Sequence, residues 1–211
     1  MFFADAHNDL AFKLLHREAP IGINSLIDSG VRFQIFSLFT YPRVCNPFID
    51  ALCQIKLIEK EAESCGHACS LHGGKLDDII DEDIFVYVFS LEGAENLGGD
   101  INNIRLFRRL GTRIVGLTWN NDNEFCGNCV TSSDTGLLPK GKDLIRLANK
   151  YNIAVDMSHA SLKAFHEVCE LSTYPPMVSH SAVSNIWPHC RNIGHDELKV
   201  LIDIKGFFGI C

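Results

Sequence analysis

The chain has 211 residues, a comfortable length for one domain with a sizeable core, and its 46% hydrophobic and 21% charged content is that of an ordinary globular protein rather than a disordered or fibrous one. A net charge of −7 leaves no Lys/Arg excess to neutralise phosphates, which argues against a nucleic-acid binder. No run approaches the roughly 20 apolar residues of a membrane span, and Met1–Ala4 is too short for a secretory h-region, so neither anchor nor leader is expected.

The predicted elements alternate between short strands and helical or long connections. Phe2–Ala4 reads as a first strand and Val31–Leu38 as a second. Pro47–Cys65 keeps Phe48, Leu52, Ile55 and Ile58 at near-3.6 spacing with Glu59, Lys60, Glu61 and Glu63 outward, the pattern of an amphipathic helix. Ile84–Leu91 is apolar on both faces, as a buried parallel strand must be. A helix over Asn102–Leu110 ends at Gly111, a C-cap glycine. Strand Arg113–Leu117, helix Pro139–Tyr151 with proline in its first turn, and strand Ile153–Asp156 follow. Then come helix Leu162–Leu171 capped by Ser161, strand Pro176–Ser179, helix Asp196–Ile204 opened by an Asp cap, and strand Gly206–Cys211. Seven strands with such connections predict parallel pairing in one α/β domain over residues 1–211. No Gly-x-Gly-x-x-Gly follows any strand, so a dinucleotide fold loses ground to a TIM-like (β/α)8 barrel.

Nine cysteines, an odd count, read as reduced thiols of a cytoplasmic protein. The spacings Cys126-Gly127-Asn128-Cys129 and Cys65-Gly66-His67-Ala68-Cys69 look metal-like or redox-like. Neither has a second Cys pair at zinc-finger distance, and both are read as incidental.

Chemistry concentrates where strands end. Asp5-Ala6-His7-Asn8-Asp9 places an imidazole and a carboxylate two residues apart, on one side of an extended chain. Glu92 follows the most apolar strand, Trp119, Asn120 and Asn121 follow the next, and His159 and His180 follow two more. In a barrel these ends share one mouth. Imidazoles with carboxylates are a donor set for Zn²⁺, and five such groups exceed the needs of one tetrahedral ion. Two ions sharing Glu92, with a bridging water that becomes hydroxide near neutral pH, is the natural solution. His16, His67, His72, His166, His189 and His195 have no such placement and read as surface or packing residues.

The order of these signatures resembles the membrane (renal) dipeptidase family of zinc peptidases. The resemblance runs through residues 5–10, Leu91-Glu92-Gly93, Gly116–Asn120, Asp156–Ser161, Val178–Ser181 and Arg191–Ile193. It implies a barrel with two zinc ions, His7 and Asp9 on the first, His159 and His180 on the second, and Glu92 bridging them. It implies a small dipeptide substrate, with D-residues at its C-terminal side included, whose carboxylate is held by Arg191, a guanidinium fork suited to the task. Family members that form dimers leave a homodimer open.

Two departures stand out. Trp119 replaces a histidine that many members use to stabilise the oxyanion; an indole N–H donates but carries no charge, so Trp119 reads either as a weaker donor or as a pocket wall. The family's final strand brings an Asp beside the metals, and this sequence stops at Cys211 before it. The expectation is a truncated member with an incomplete barrel of about seven strands. Two other readings stand beside dipeptide hydrolysis by the metal-bridging hydroxide: another amidohydrolase-type metal hydrolase, and a non-catalytic metal-binding remnant.

Overall fold

The computed structural model describes residues 3–19, 21–42, 44–73, 84–131 and 134–211. Its frame is a wholly parallel sheet. The strands are β1 (Phe3–Asn8), β2 (Val31–Phe39), β3 (Ala68–Ser70), β4 (Phe85–Glu92), β5 (Thr112–Gly116), β6 (Ala154–Asp156), β7 (Met177–Ser181) and β8 (Phe207–Ile210). They pair in the order β1-β2-β4-β5-β6-β7-β8. The short β3 lies against the start of β4 (Ala68↔Phe85, Ser70↔Tyr87), on the edge that β5 takes over further along (Phe89↔Thr112). The sheet curls nearly shut: the rings of His7 on β1 and His180 on β7 lie 3.8 Å apart.

Alternation along each stave sorts two cores. Ile35, Val86, Val88, Ile114 and Met177 pack inside the barrel. Phe36, Leu38, Phe85, Tyr87, Phe89, Leu91 and Val155 face outward beneath the helices, beside Ile55, Ile58, Leu144 and Ile145. Strands buried on both faces are why their sequences read as near-continuous apolar runs. On β4 the inward set Val86, Val88 and Ser90 leads straight to Glu92, so the period of two delivers that carboxylate to the C-terminal mouth.

The helices are α1 (Leu10–Leu15), α2 (Ile23–Asp28), α3 (Pro47–Cys65), α4 (Ile104–Arg109), α5 (Pro139–Tyr151), α6 (Leu162–Leu171) and α7 (His195–Asp203). Helix α3 has its expected bounds, with the Asn46 side chain accepting from Ile49 N (3.1 Å) and Gly66 left-handed after its end. Ser161 caps α6 as expected, accepting from Ala164 N at 3.1 Å. Several expectations need correction. Phe2 of the first predicted strand lies outside the described residues, and β1 runs on to Asn8. Helices α1 and α2, six residues each, and the three-residue β3 are too short to show periodicity. Helix α4 is shorter than Asn102–Leu110 because Ile101–Asn103 forms a 3-10 turn. Helix α7 starts one residue early on Gly194 without a side-chain cap; Asp196 and Glu197 instead occupy its first turn, where carboxylates complement the dipole.

Candidate metal centre

Two irregular strands aim the histidines. Between the pairs Asp5↔Gln34 and Asn8↔Phe36, β1 takes three steps to the two of β2, a bulge that lets Ala6 pack inside while His7 also reaches the mouth. Asp9 lies beyond the strand at the head of α1, so a turn rather than simple alternation brings its Oδ1 to 3.2 Å from His7 Nε2. Strand β7 is irregular in the same sense between Val178↔Phe208 and Ser181↔Ile210, around His180. His159 follows β6 in a left-handed backbone conformation (φ 72°), held by Cys129 N donating to its carbonyl at 2.8 Å.

All five expected ligands converge. His7, Glu92 and His180 offer donor atoms within 4.8 Å of one another, and this is the one such group of His, Cys, Asp and Glu among the described residues. Glu92 faces two ways: Oε1 lies 2.9 Å from His159 Nε2 and 3.6 Å from His180 Nε2, while Oε2 lies 3.8 Å from His7 Nε2. Ser37 Oγ donates to that second oxygen at 2.6 Å. The Nε2 atoms of His159 and His180 are 3.0 Å apart.

Proton positions follow from the outer partners. The single Ser179 hydroxyl hydrogen goes to the buried Asp156 Oδ2. Asp156 Oδ1 takes the backbone N–H groups of Ser158 (2.9 Å) and Ser179 (3.0 Å). Ser179 Oγ therefore accepts from His180 Nδ1–H at 2.8 Å, which leaves the Nε2 lone pair facing the site. Likewise His159 Nδ1–H donates to Asn120 Oδ1 at 2.8 Å, and its Nε2 lone pair receives Arg191 Nη2 at 3.0 Å. Three atoms without protons (Glu92 Oε1, His159 Nε2 and His180 Nε2) thus crowd one point. Arg191 Nη2 already brings a positive group to His159 Nε2, but it leaves Glu92 Oε1 and His180 Nε2 facing each other at 3.6 Å, and acceptors held this way favour a cation among them. The residues fit a metal.

Their charge states agree. Burial alone drives the Glu92 carboxyl upward, but its contact with His159 and the positive charge that His7, His159 and His180 bring when protonated more than reverse this and bring it to about 2. Burial pushes His159 down, and burial with repulsion from His7 lowers His180 to about 4. At His7 the lowering by burial is outweighed by the Asp9 hydrogen bond and Glu92, and its imidazole titrates above the ordinary value. An ionised Glu92 with neutral His159 and His180 is the state coordination requires.

The cluster opens into a cavity of about 1050 Å³ that Phe12, Phe39, Tyr41, Trp119 and Arg191 also line. Other expectations resolve differently. Cys126 is buried and its thiol is pushed up by burial, and no cysteine joins a metal-like group among the described residues. His16 stacks on Phe12 (4.3 Å), His72 bonds the Arg109 carbonyl (3.0 Å) and His166 faces Glu197 (3.4 Å), all packing roles. Sequence reasoning placed Asn120 and Asp156 at strand ends without giving either a role, and it passed over Ser37 and Ser179, because small polar residues beside a ligand or on a neighbouring strand carry no spacing signal. No helix among the described residues is long and apolar enough to cross a membrane.

Comparison with known proteins bears on this geometry. The family model described as "Membrane dipeptidase (Peptidase family M19)" matches residues 1–211. An uncharacterized dipeptidase of Schizosaccharomyces pombe is 31% identical over 141 residues, 66% of this chain and 34% of that protein. Dipeptidase tcpJ of Claviceps purpurea is 33% identical over 121 residues, 56% of this chain and 28% of that one. The chain thus spans about a third of the length of these relatives. A metallopeptidase of Rhodobacter sphaeroides, solved with a phosphinate mimic of L-Ala-D-Ala, superposes with a TM-score of 0.87 at 22% identity, over 100% of this chain and 73% of that one.

Proposed function

The chain belongs to the membrane dipeptidase family, peptidase family M19, and from that premise we propose that it is a zinc-dependent dipeptidase. The observation that carries this is the meeting of Glu92 Oε1, His159 Nε2 and His180 Nε2, all without protons, at separations of 2.9–3.6 Å. Two donors on one tetrahedral zinc lie roughly 3.3 Å apart. The 3.0 Å between His159 and His180 and the 3.2 Å between His7 and Asp9 both match a shared ion. Glu92 gives one oxygen to each pair, which supports two ions bridged by that carboxylate. Bound there, the ions supply Lewis acidity and a nucleophile drawn from water at neutral pH.

The protein's own groups do the rest. Ser37 holds the second Glu92 oxygen, and Asn120 and Ser179 hold the imidazoles in the ligating tautomer. Arg191, at the cavity edge beside His159, would receive the substrate's terminal carboxylate in a bidentate fork. Trp119 lines the substrate side. All nine cysteines are free thiols, which supports residence in a reducing, cytoplasmic compartment.

The test is hydrolysis of Ala-Ala and Ala-D-Ala by zinc-loaded protein, read as amino-acid release, beside Glu92→Gln. The proposal expects turnover that the substitution lowers by a factor on the order of 10²–10³, a loss typical of removing a principal electrostatic group. Turnover retained by Glu92→Gln would remove the bridge from the mechanism.

A further inference from the structure

Four aromatic rings form a continuous wall on one side of the metal cavity. Phe12 and Phe39 are its buried backing, with 9% and 7% of their surface exposed, whereas Tyr41 is 50% exposed and Trp119 partly so. Phe39 supports both outer rings, at 4.6 Å from Trp119 and 5.0 Å from Tyr41. The planes of Tyr41 and Trp119 meet at 85°, with centroids 6.2 Å apart. The result is an open right-angled corner of two aromatic faces, fixed from behind. Aromatic rings pair by offset stacking and by edge-to-face contact, and such a corner offers one of each to an incoming ring.

Its place on the rim gives the corner a substrate position. The sheet order sets Trp119 after β5, His159 after β6 and Arg191 after β7, so His159 stands between the indole and the guanidinium. Trp119 lies 6.1 Å from the His159 ring, and Arg191 Nη2 lies 3.0 Å from its Nε2. A dipeptide spans at most about 7 Å. With its carboxylate on Arg191 and its peptide bond over the metal cluster, the C-terminal residue is used up on the β7 side. The N-terminal residue then extends toward β2 and β5, where Tyr41 and Trp119 wait.

We infer that this chain selects dipeptides whose N-terminal residue carries an aromatic side chain, seated in the corner between Tyr41 and Trp119. The inference rests on the dipeptidase reading and adds the substrate class to it. A methyl group reaches neither ring face, while a benzyl group displaces water from both. Because Phe12 and Phe39 already hold the two faces, little ordering accompanies binding.

The experiment compares kcat/KM of the zinc-loaded protein for Gly-Ala, Ala-Ala, Leu-Ala and Phe-Ala with the mirrored series Ala-Gly, Ala-Leu and Ala-Phe. Apolar pockets discriminate by roughly tenfold to 200-fold for each group of methylene size, so Phe-Ala is expected to exceed Ala-Ala by roughly tenfold or more. Tyr41→Leu and Trp119→Ala should bring that ratio down to about twofold or less. A flat first series, or an aromatic preference found only in the mirrored one, overturns the inference. Should no dipeptide be hydrolysed, the dipeptidase reading is what fails, and binding decides the corner independently. In a Trp187→Phe background Trp119 is the sole indole, and its emission reports titration with Phe-Ala or Ala-Ala. Tenfold tighter Phe-Ala binding with a shifted emission sustains the corner, and equal affinities overturn it.

Discussion

Replacing Ser179 by Ala tests whether the outer hydrogen bonds set the metal site. The Ser179 hydroxyl passes its only hydrogen to Asp156 and accepts His180 Nδ1–H at 2.8 Å. Without it, His180 Nδ1 loses its acceptor and the ring is free to carry its proton on Nε2, the atom that must bind the cation. Outer partners of this kind typically contribute about 10–100-fold in metal affinity, which is about 1.4–2.8 kcal/mol. Asp156 also loses one bond but keeps the backbone donors of Ser158 and Ser179 at 2.9 and 3.0 Å. A buried group short of one partner costs about 1–3 kcal/mol in folding stability. Affinity and stability therefore need separating. Ser158→Ala is the control: Ser158 Oγ lies 3.2 Å from Ser179 Oγ and accepts the His180 backbone N–H, yet touches no imidazole nitrogen. Zinc competition against a chromophoric chelator, with near-ultraviolet circular dichroism confirming the fold, should show weakening of about 10–100-fold in Ser179→Ala. The control should bind zinc as the parent does. Parental affinity in Ser179→Ala, or equal weakening in both variants, would refute the tautomer argument.

Two further outcomes follow from the same framework. Chelation should lower the melting temperature while leaving the far-ultraviolet spectrum intact, since both apolar cores are built from side chains other than those of the cluster; zinc at 100 times its Kd stabilises by about 2.7 kcal/mol, and identical scanning-calorimetry melts with and without zinc would contradict a preformed site. Phe89→Ala empties a fully buried position between β4 and the helices and should cost about 3–5 kcal/mol in urea unfolding, so a loss below about 1 kcal/mol would mean that the site collapses freely or that the outer core is looser than described.

The staves were legible because burial on both faces writes them as apolar runs, and the same runs announced their ends. Phe85–Glu92 sits within one residue of its expected bounds for that reason. The five residues that converge at the mouth were legible as polar groups at those ends, although a bulge and a turn, rather than plain alternation, bring His7 and Asp9 together. The aromatic corner was not legible. Tyr41 and Trp119 are 78 positions apart, after strands that β4 separates in the sheet, and each alone reads as an ordinary aromatic near a strand end.

The Asp156 relay shows most sharply what such a reading lacks. An Asp closing a buried strand is visible, but its role depends on which residues β7 sets beside it. Pairing of Asp156 with Met177 places Ser179 two steps further on, within reach of the carboxylate. A slip of one residue would turn Ser179 to the other face and carry its hydroxyl away from Asp156, so that nothing would fix its hydrogen away from the neighbouring His180 ring. The lone pair that His180 presents to a cation is therefore decided by strand register, a pairwise property that residue spacing along one strand does not encode.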